Sequence, residues 1–269
     1  MKKTHYLLAL VFFTFLACQC SSDNREQRAD EKLREIRTLI DKRQLNKAKI
    51  QIDSFHQLFP NLIEQRRQAQ QLKDTITLLE AMRTQQFVDS MLLILQPQTD
   101  SLLKFFKYEP ATAYESCGKF VHPTLTTLRN TNRCFLQAQV SEDMTLLIRS
   151  YYTGKRIDHN AVSLLADDNN IQAEGRMHAF DAEQHHEITT LNTEQGLELL
   201  RFISAHKNAL IRVDLLCDCT SEYKYFLQDS EKKALEQTLA LYINMQDVHR
   251  LELMNQQASN LVKLKTQQK

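Results

Sequence analysis

The chain has 269 residues, 42% of them hydrophobic and 25% charged, with Lys+Arg 34 against Asp+Glu 33 and a formal net charge of +1. Its four Gly, four Pro and absent Trp compare with about 19 Gly and about 13 Pro in an average chain of this length, which excludes collagen-like, linker-rich and turn-dense propeller architectures. The near-neutral balance gives no reason to expect nucleic acid as a partner, and isolated glycines cannot build a phosphate-cradling loop.

At the N-terminus, Lys2 and Lys3 precede an apolar run from Tyr6 to Leu16. The run is shorter than the roughly 20 apolar residues of a bilayer span and suits the apolar region of a signal peptide. Phe15-Leu16-Ala17-Cys18 follows. This stretch resembles the lipobox of bacterial lipoproteins, in which a small residue precedes the cysteine that is acylated and becomes the mature N-terminus. The resemblance rests on residues 1 to about 22. It implies a signal peptide over 1–17, lipidation at Cys18 and a polar tether over 18–24. Cys20 is the poorer acceptor, because Gln19 stands before it. Acyl chains contribute about 0.8 kcal/mol per buried CH₂, so two or three would hold the chain on a membrane. The resemblance also implies a cell-envelope location, with the outer membrane expected rather than the inner and the chain facing periplasm or cell surface. The mature part has a general likeness to Gram-negative envelope lipoproteins, without a motif that names a family.

Residues 25–108 read as helical. Leu33, Ile36, Leu39 and Ile40 recur at three-and-four spacing with charges between, the mark of an amphipathic helix. A second short helix runs from about Asn46 to Leu58, carries Ala48, Ile50, Ile52 and Phe55, and stops at Pro60. The pair resembles a single tetratricopeptide-type hairpin, although no second copy follows. One such unit cannot bury its face alone, so the pair is expected to pack on neighbours. After Pro60, Leu62, Ala69, Leu72, Ile76 and Leu79 keep a period of 3.5. The pattern slips and continues through Val88 and Leu95 to Pro97, where a kink or a new helix is expected. Pro110 ends the helical half.

From about 113 the period shortens to two. Strands are expected over Cys134–Val140, Met144–Tyr152, Ala161–Leu165, Ile171–Met177, His186–Leu191, Leu210–Cys217 and Tyr223–Leu227. The short turns between them suggest a meander of antiparallel hairpins. One helix interrupts it, starting at Asn192 with Gln195 as its capping partner. A final helix from Asp229 carries apolar residues at spacings of three or four as far as Leu261. It is too long to bury itself on a small sheet, and its natural partner is the long helix after Pro60. The expected fold is therefore α+β. An antiparallel stalk of long N- and C-terminal helices (25–108 and 229–269) flanks an antiparallel β-meander domain with one helix (109–228).

No catalytic motif emerges. His185-His186-Glu187 lacks the second histidine of a zinc-protease helix, since Thr190 occupies its place. On a strand His185 and His186 point to opposite faces, so only one of them can join His159 or His178. Cys217-Asp218-Cys219 has no second thiol pair and falls short of a closed metal site. Cys134 and Cys217 share parity with apolar strand residues and read as small core side chains. Removing Cys18 leaves five cysteines, an odd set that is no disulfide framework. No serine sits in a nucleophile elbow. Tyr151 and Tyr152, with His159, His185 and His186, are the candidate binding face. No cofactor and no metal are expected. The reading is a lipid-anchored, non-catalytic binding or structural module whose partners are the membrane and an envelope protein or glycan, with self-association open to its helices. The alternative is a periplasmic hydrolase using a histidine of the β domain as general base. A membrane-fusion-type adaptor is disfavoured, because its helices would be inserted in the β domain rather than flank it.

Overall fold

The computed structural model describes residues 24–113, 116–181, 186–217 and 223–267. The lipobox-like Phe15–Cys18, the tether up to Asp23, His185 and Cys219 lie outside the described residues. The described residues form an α+β protein of five helices and a nine-stranded, wholly antiparallel sheet. They divide into two compact units. One comprises the residues up to Asp89 together with those from Leu253 onward, and the other is Ser90–Glu252. The division falls inside both long helices rather than at the expected boundaries after residues 108 and 228.

The first unit is helical. Helix α1 covers residues 24–41, α2 is Leu45–Leu58 and α3 is Ile63–Leu103. Between α1 and α2 the Gln44 N–H reaches back to the Leu39 carbonyl at 2.9 Å, with Arg43 at φ 57°. This is a Schellman-type stop, which usually employs glycine. The helical half has none, so Arg43 takes the left-handed position. Ala29, Leu33, Ile36, Ala48, Ile52, Phe55, Ala69 and Ile76 form one fully apolar core. Their three-and-four spacing turns a single stripe of each helix inward. Ion pairs ring that core from outside, Lys49 with Glu80 at 2.7 Å and Lys73 with Asp53 at 3.0 Å. The last part of the C-terminal helix α5 (Asp229–Gln267) runs antiparallel to α3. Lys265 meets Asp74 at 2.8 Å, and Gln85 meets Ser259 at 2.8 Å.

Pro97 neither breaks α3 nor starts a new helix. The carbonyl that its missing N–H leaves without an intrahelical partner is that of Leu93, and both residues are exposed, so the lost bond falls on the solvent side of the helix, where it is tolerated. The helix ends at Leu103, not at Tyr108. Lys107–Glu109 instead form β1, paired with β2 (Lys119–Val121).

The second unit holds the sheet. Its other strands are β3 Phe135–Ser141, β4 Leu146–Thr153, β5 Ala161–Ala166, β6 Asn169–Asp181, β7 His186–Leu191, β8 Arg212–Leu216 and β9 Tyr223–Phe226. The order β1-β2-β3-β4-β7-β6-β5-β8-β9 is a meander only through β4. After it the chain skips outward to β5 and returns through β6 to β7, which closes on β4. That return is possible because β6 is 13 residues long, well beyond the expected Ile171–Met177. It pairs with β5 at one end and with β7 at the other.

Helix α4 (Thr193–Ala205) and the first part of α5 cover one face of the sheet. The core there is built from alternate strand residues, Leu136, Ala138, Val140, Leu146, Ile148, Val162, Leu164, Val213 and Leu215. Leu199, Leu200, Ile203, Leu235 and Leu239 pack on them from the helices. Gly196 lets α4 approach closely, since a Cβ there would stand 2.8 Å from Ile148. Asn192 caps α4 by accepting the Glu194 N–H, but Gln195 is drawn away to accept the Glu174 N–H at 2.7 Å. The expected reciprocal cap is thus replaced by a helix-to-strand bond. Cys134 is a free thiol in this core. Cys217 is not a core residue: it lies beyond the end of β8, is half-buried and is disulfide-bonded.

Candidate functional site

The β4–β5 connection, residues 154–160, runs back over the helix-covered face and is laced to β7. The Ile157 N–H donates to Glu187 Oε2 at 3.0 Å, the His159 N–H donates to Glu187 Oε1, and Thr189 donates to the His159 carbonyl. These bonds bring the His159 ring between two strand residues. Its Nδ1 lies 2.6 Å from Glu187 Oε1 and its Nε2 lies 3.1 Å from Ser150 Oγ. Ser150 and Glu187 share a face because β4 and β7 pair Ser150 with Thr189 and Tyr152 with Glu187. The inward parity of β7 is therefore Glu187, Thr189, Leu191, polar where a core strand would be apolar.

Burial would raise the Glu187 carboxyl, but the His159 ring and the N–H groups of Ile157, His159 and Asp158 overcome it and hold the group down at about 2. Burial pushes the His159 imidazole below its ordinary value, against the attraction of Glu187. The pair therefore rests as carboxylate and neutral imidazole. With Nδ1–H donated to Glu187, Nε2 is left to accept the Ser150 hydroxyl. Serine, histidine and carboxylate in this sequence of bonds have the connectivity of an acyl-transfer triad. What differs is access: Ser150 and His159 are 0% exposed and Glu187 is 1%. Ser150 also lies within a strand paired on both sides, opposite Leu136 of β3 and Thr189 of β7. A nucleophile must reach its substrate, and this hydroxyl reaches only His159.

The expected binding face does not form. Tyr151 and Tyr152 are both buried and point to opposite faces of β4. Tyr152 stands near His159, with ring centroids 6.3 Å apart, and its hydroxyl donates to the Lys155 carbonyl. Tyr151 stacks on Phe135 at 4.6 Å and donates to Gln137. His186 packs edge-on against both of those rings, is fully buried, and has neither ring nitrogen hydrogen-bonded. Burial pushes its imidazole below the ordinary value. His185, the fifth candidate, lies outside the described residues. The candidate residues thus come together only as two separate pairs, Tyr152 with His159 on one face of β4 and Tyr151 with His186 on the other.

Toward solvent, His178 Nε2 lies 3.3 Å from Glu187 Oε1 and 4.0 Å from Asp158 Oδ1. The exposed Asp158 and His178 thus form a second cluster with the buried Glu187, whose carboxylate the two clusters share. Elsewhere, in the helical unit, an open groove of about 580 Å³ is lined by Arg43, Leu45, Leu79, Met82, Arg83 and Gln86.

Sequence reasoning passed over Ser150 and set Glu187 aside together with a failed zinc motif. The available signal was parity. Ser150 follows Leu146 and Ile148 at alternate positions of β4, and Glu187 and Thr189 precede Leu191 at alternate positions of β7, so polar residues occupy inward positions on two strands that pair. Comparison of the chain with protein-family models, with curated proteins and with solved structures returns no match.

Proposed function

We propose that this protein is a lipid-anchored cell-envelope module, non-catalytic, that presents its β domain on a stalk of paired helices to an envelope protein or glycan. The observation that carries the anchor is Ala17-Cys18 directly after the apolar run that ends at Leu16. No helix among the described residues is long and apolar enough to cross a membrane, so a covalent anchor would supply the attachment. The stalk reading draws support from the length of α3 and α5, 41 and 39 residues, and from the antiparallel bonds Asp74–Lys265 and Gln85–Ser259. The non-catalytic reading draws support from the enclosure of Ser150 and His159.

Replacing Cys18 by Ala tests the anchor. Loss of acyl labelling together with release from the membrane fraction is the expected result, and a labelled, membrane-bound Cys18→Ala chain would overturn it. Crosslinking in intact envelope followed by affinity capture tests the binding role. One reproducible envelope partner is expected, and its absence across repeated captures counts against the module.

A hydrolase is the second reading, favoured by the Ser150–His159–Glu187 chain of bonds. It requires residues 154–160 to lift off β7, which breaks the bonds of Ile157, His159 and Thr189 together. Buried hydrogen bonds to a charged group contribute about 1.5–3 kcal/mol each, so such an opening is rare.

A further inference from the structure

We infer that Asp158, His178 and Glu187 form a binding site for one divalent transition-metal ion of the zinc class. The inference is independent of the anchor and of the non-catalytic reading. Each residue offers one ligand atom, and the three atoms lie within 4.8 Å of one another. Ligands around a tetrahedral ion at about 2.1 Å stand about 3.4 Å apart. His178 and Glu187 are already at 3.3 Å, and His178 and Asp158 at 4.0 Å need to close by only a fraction of an ångström. One imidazole and two carboxylates bring two negative charges to a dication, and a mixed N and O donor set suits zinc and its neighbours. Calcium, which takes six to eight oxygens, is served poorly.

The three ligands come from separate segments. Glu187 lies on β7, where the His159 ring and the N–H groups of Ile157 and His159 fix its carboxylate. Orientation of a ligating carboxylate by such partners is the usual outer shell of a metal site. Asp158 sits between those two donors at φ 53°, a left-handed position that turns its side chain out of the line of the connection. His178 follows a break in register of β6 between Gly175 and Met177, and bulges of this kind re-aim the side chains beyond them. Gly175 is required there, because a Cβ would stand 2.5 Å from Thr189 Cγ2 and 2.7 Å from the Asn160 carbonyl oxygen.

Two existing contacts must give way. The His178–Glu187 contact is replaced by the ion, with His178 then protonated at Nδ1 and ligating through Nε2. Arg156 Nε leaves Asp158 Oδ1, now 2.6 Å away in an exposed pair. Exposed pairs contribute about 0–1 kcal/mol, and Arg156 has the Phe180 ring beneath it at 5.9 Å as an alternative rest. The buried contacts of His159 remain in place. The ion would retain at least one open position toward solvent, where water or an anionic group could bind.

Calorimetric titration of the chelator-treated full chain in detergent with zinc chloride tests the site. One ion per chain is expected, with affinity lowered at least about tenfold in His178→Ala and in Asp158→Asn, while calcium chloride gives no saturable binding. Circular dichroism verifies that both variants fold. These positions are solvent-accessible, which leaves the buried Ser150–His159–Glu187 bonds intact. Failure of the native chain to take up zinc stoichiometrically would overturn the inference, as would uptake of unchanged affinity in His178→Ala.

Discussion

The two units of this protein are stabilised by different means. The buried side chains of the helical unit are all apolar, and its charges form a ring of exposed pairs outside the core. Every buried polar or charged side chain among the described residues belongs to the sheet unit, from Asn130 to Thr238. Apolar burial is non-directional, so the first unit depends on volume and periodicity. The second depends as well on bonds of fixed geometry around Glu187, which must all form or leave a buried charge unpaired. Specific chemistry, structural or functional, is concentrated in the sheet.

The sharpest way to break that contrast is to empty one core of each kind. Phe55→Ala removes a fully buried ring between helices and should lower stability by about 3–5 kcal/mol, read by urea unfolding. That loss should be the same at pH 8 and pH 9, because the ionisable ring beside Phe55, that of His56 edge-on at 6.2 Å, is pushed below its ordinary value by burial and stays neutral there. A strongly pH-dependent loss would show that the helical core is not purely apolar.

Glu187→Gln should cost about 3 kcal/mol at pH 7, since its carboxyl titrates at about 2 rather than 4.5 and each unit corresponds to about 1.4 kcal/mol. A depressed carboxyl contributes fully above its unfolded value and loses that contribution as pH falls through the folded one. The native protein should therefore weaken between pH 4.5 and about 2 in a step that Glu187→Gln lacks. His159 and His186, both lowered by burial, add an earlier loss. Below about pH 6.5 the unfolded chain binds protons there that the folded chain refuses. Equal acid sensitivity in native and Glu187→Gln proteins would contradict this account.

The smallest effect belongs to the surface. Asp74→Ala removes a half-exposed pair with Lys265 and should cost under about 1 kcal/mol, less still in high salt. A cost comparable with Phe55→Ala would mean that the α3–α5 pairing depends on charge rather than packing.

Sequence and structure agree where periodicity alone decides. The spacing of Leu33, Ile36, Ala48, Ile52 and Phe55 located both helices of the first hairpin and its core, and the alternation through Leu136, Ala138 and Val140 located β3 with its inward face. Pro97 misled because its cost depends on exposure of the Leu93 carbonyl, which no local pattern records. The order of strands after β4 was illegible for a different reason. It depends on how far β6 extends, and its exposed second half, with Met177, His178 and Phe180, carries little apolar alternation. The site was legible only in fragments. His159, His178 and Glu187 were each visible as residues. Their meeting needed the β4–β7 register, the bulge at Gly175 and the left-handed Asp158, all of which arise from long-range pairing.

The central claim is that a serine, a histidine and a carboxylate with triad connectivity serve the fold and not catalysis. A fluorophosphonate that phosphonylates activated serines, with loss of fluoride, tests it most directly. The folded full chain should remain unlabelled at Ser150 over hours at pH 7.5. Labelling that is present in the native protein and absent in both Ser150→Ala and His159→Ala would contradict the account and establish the hydrolase.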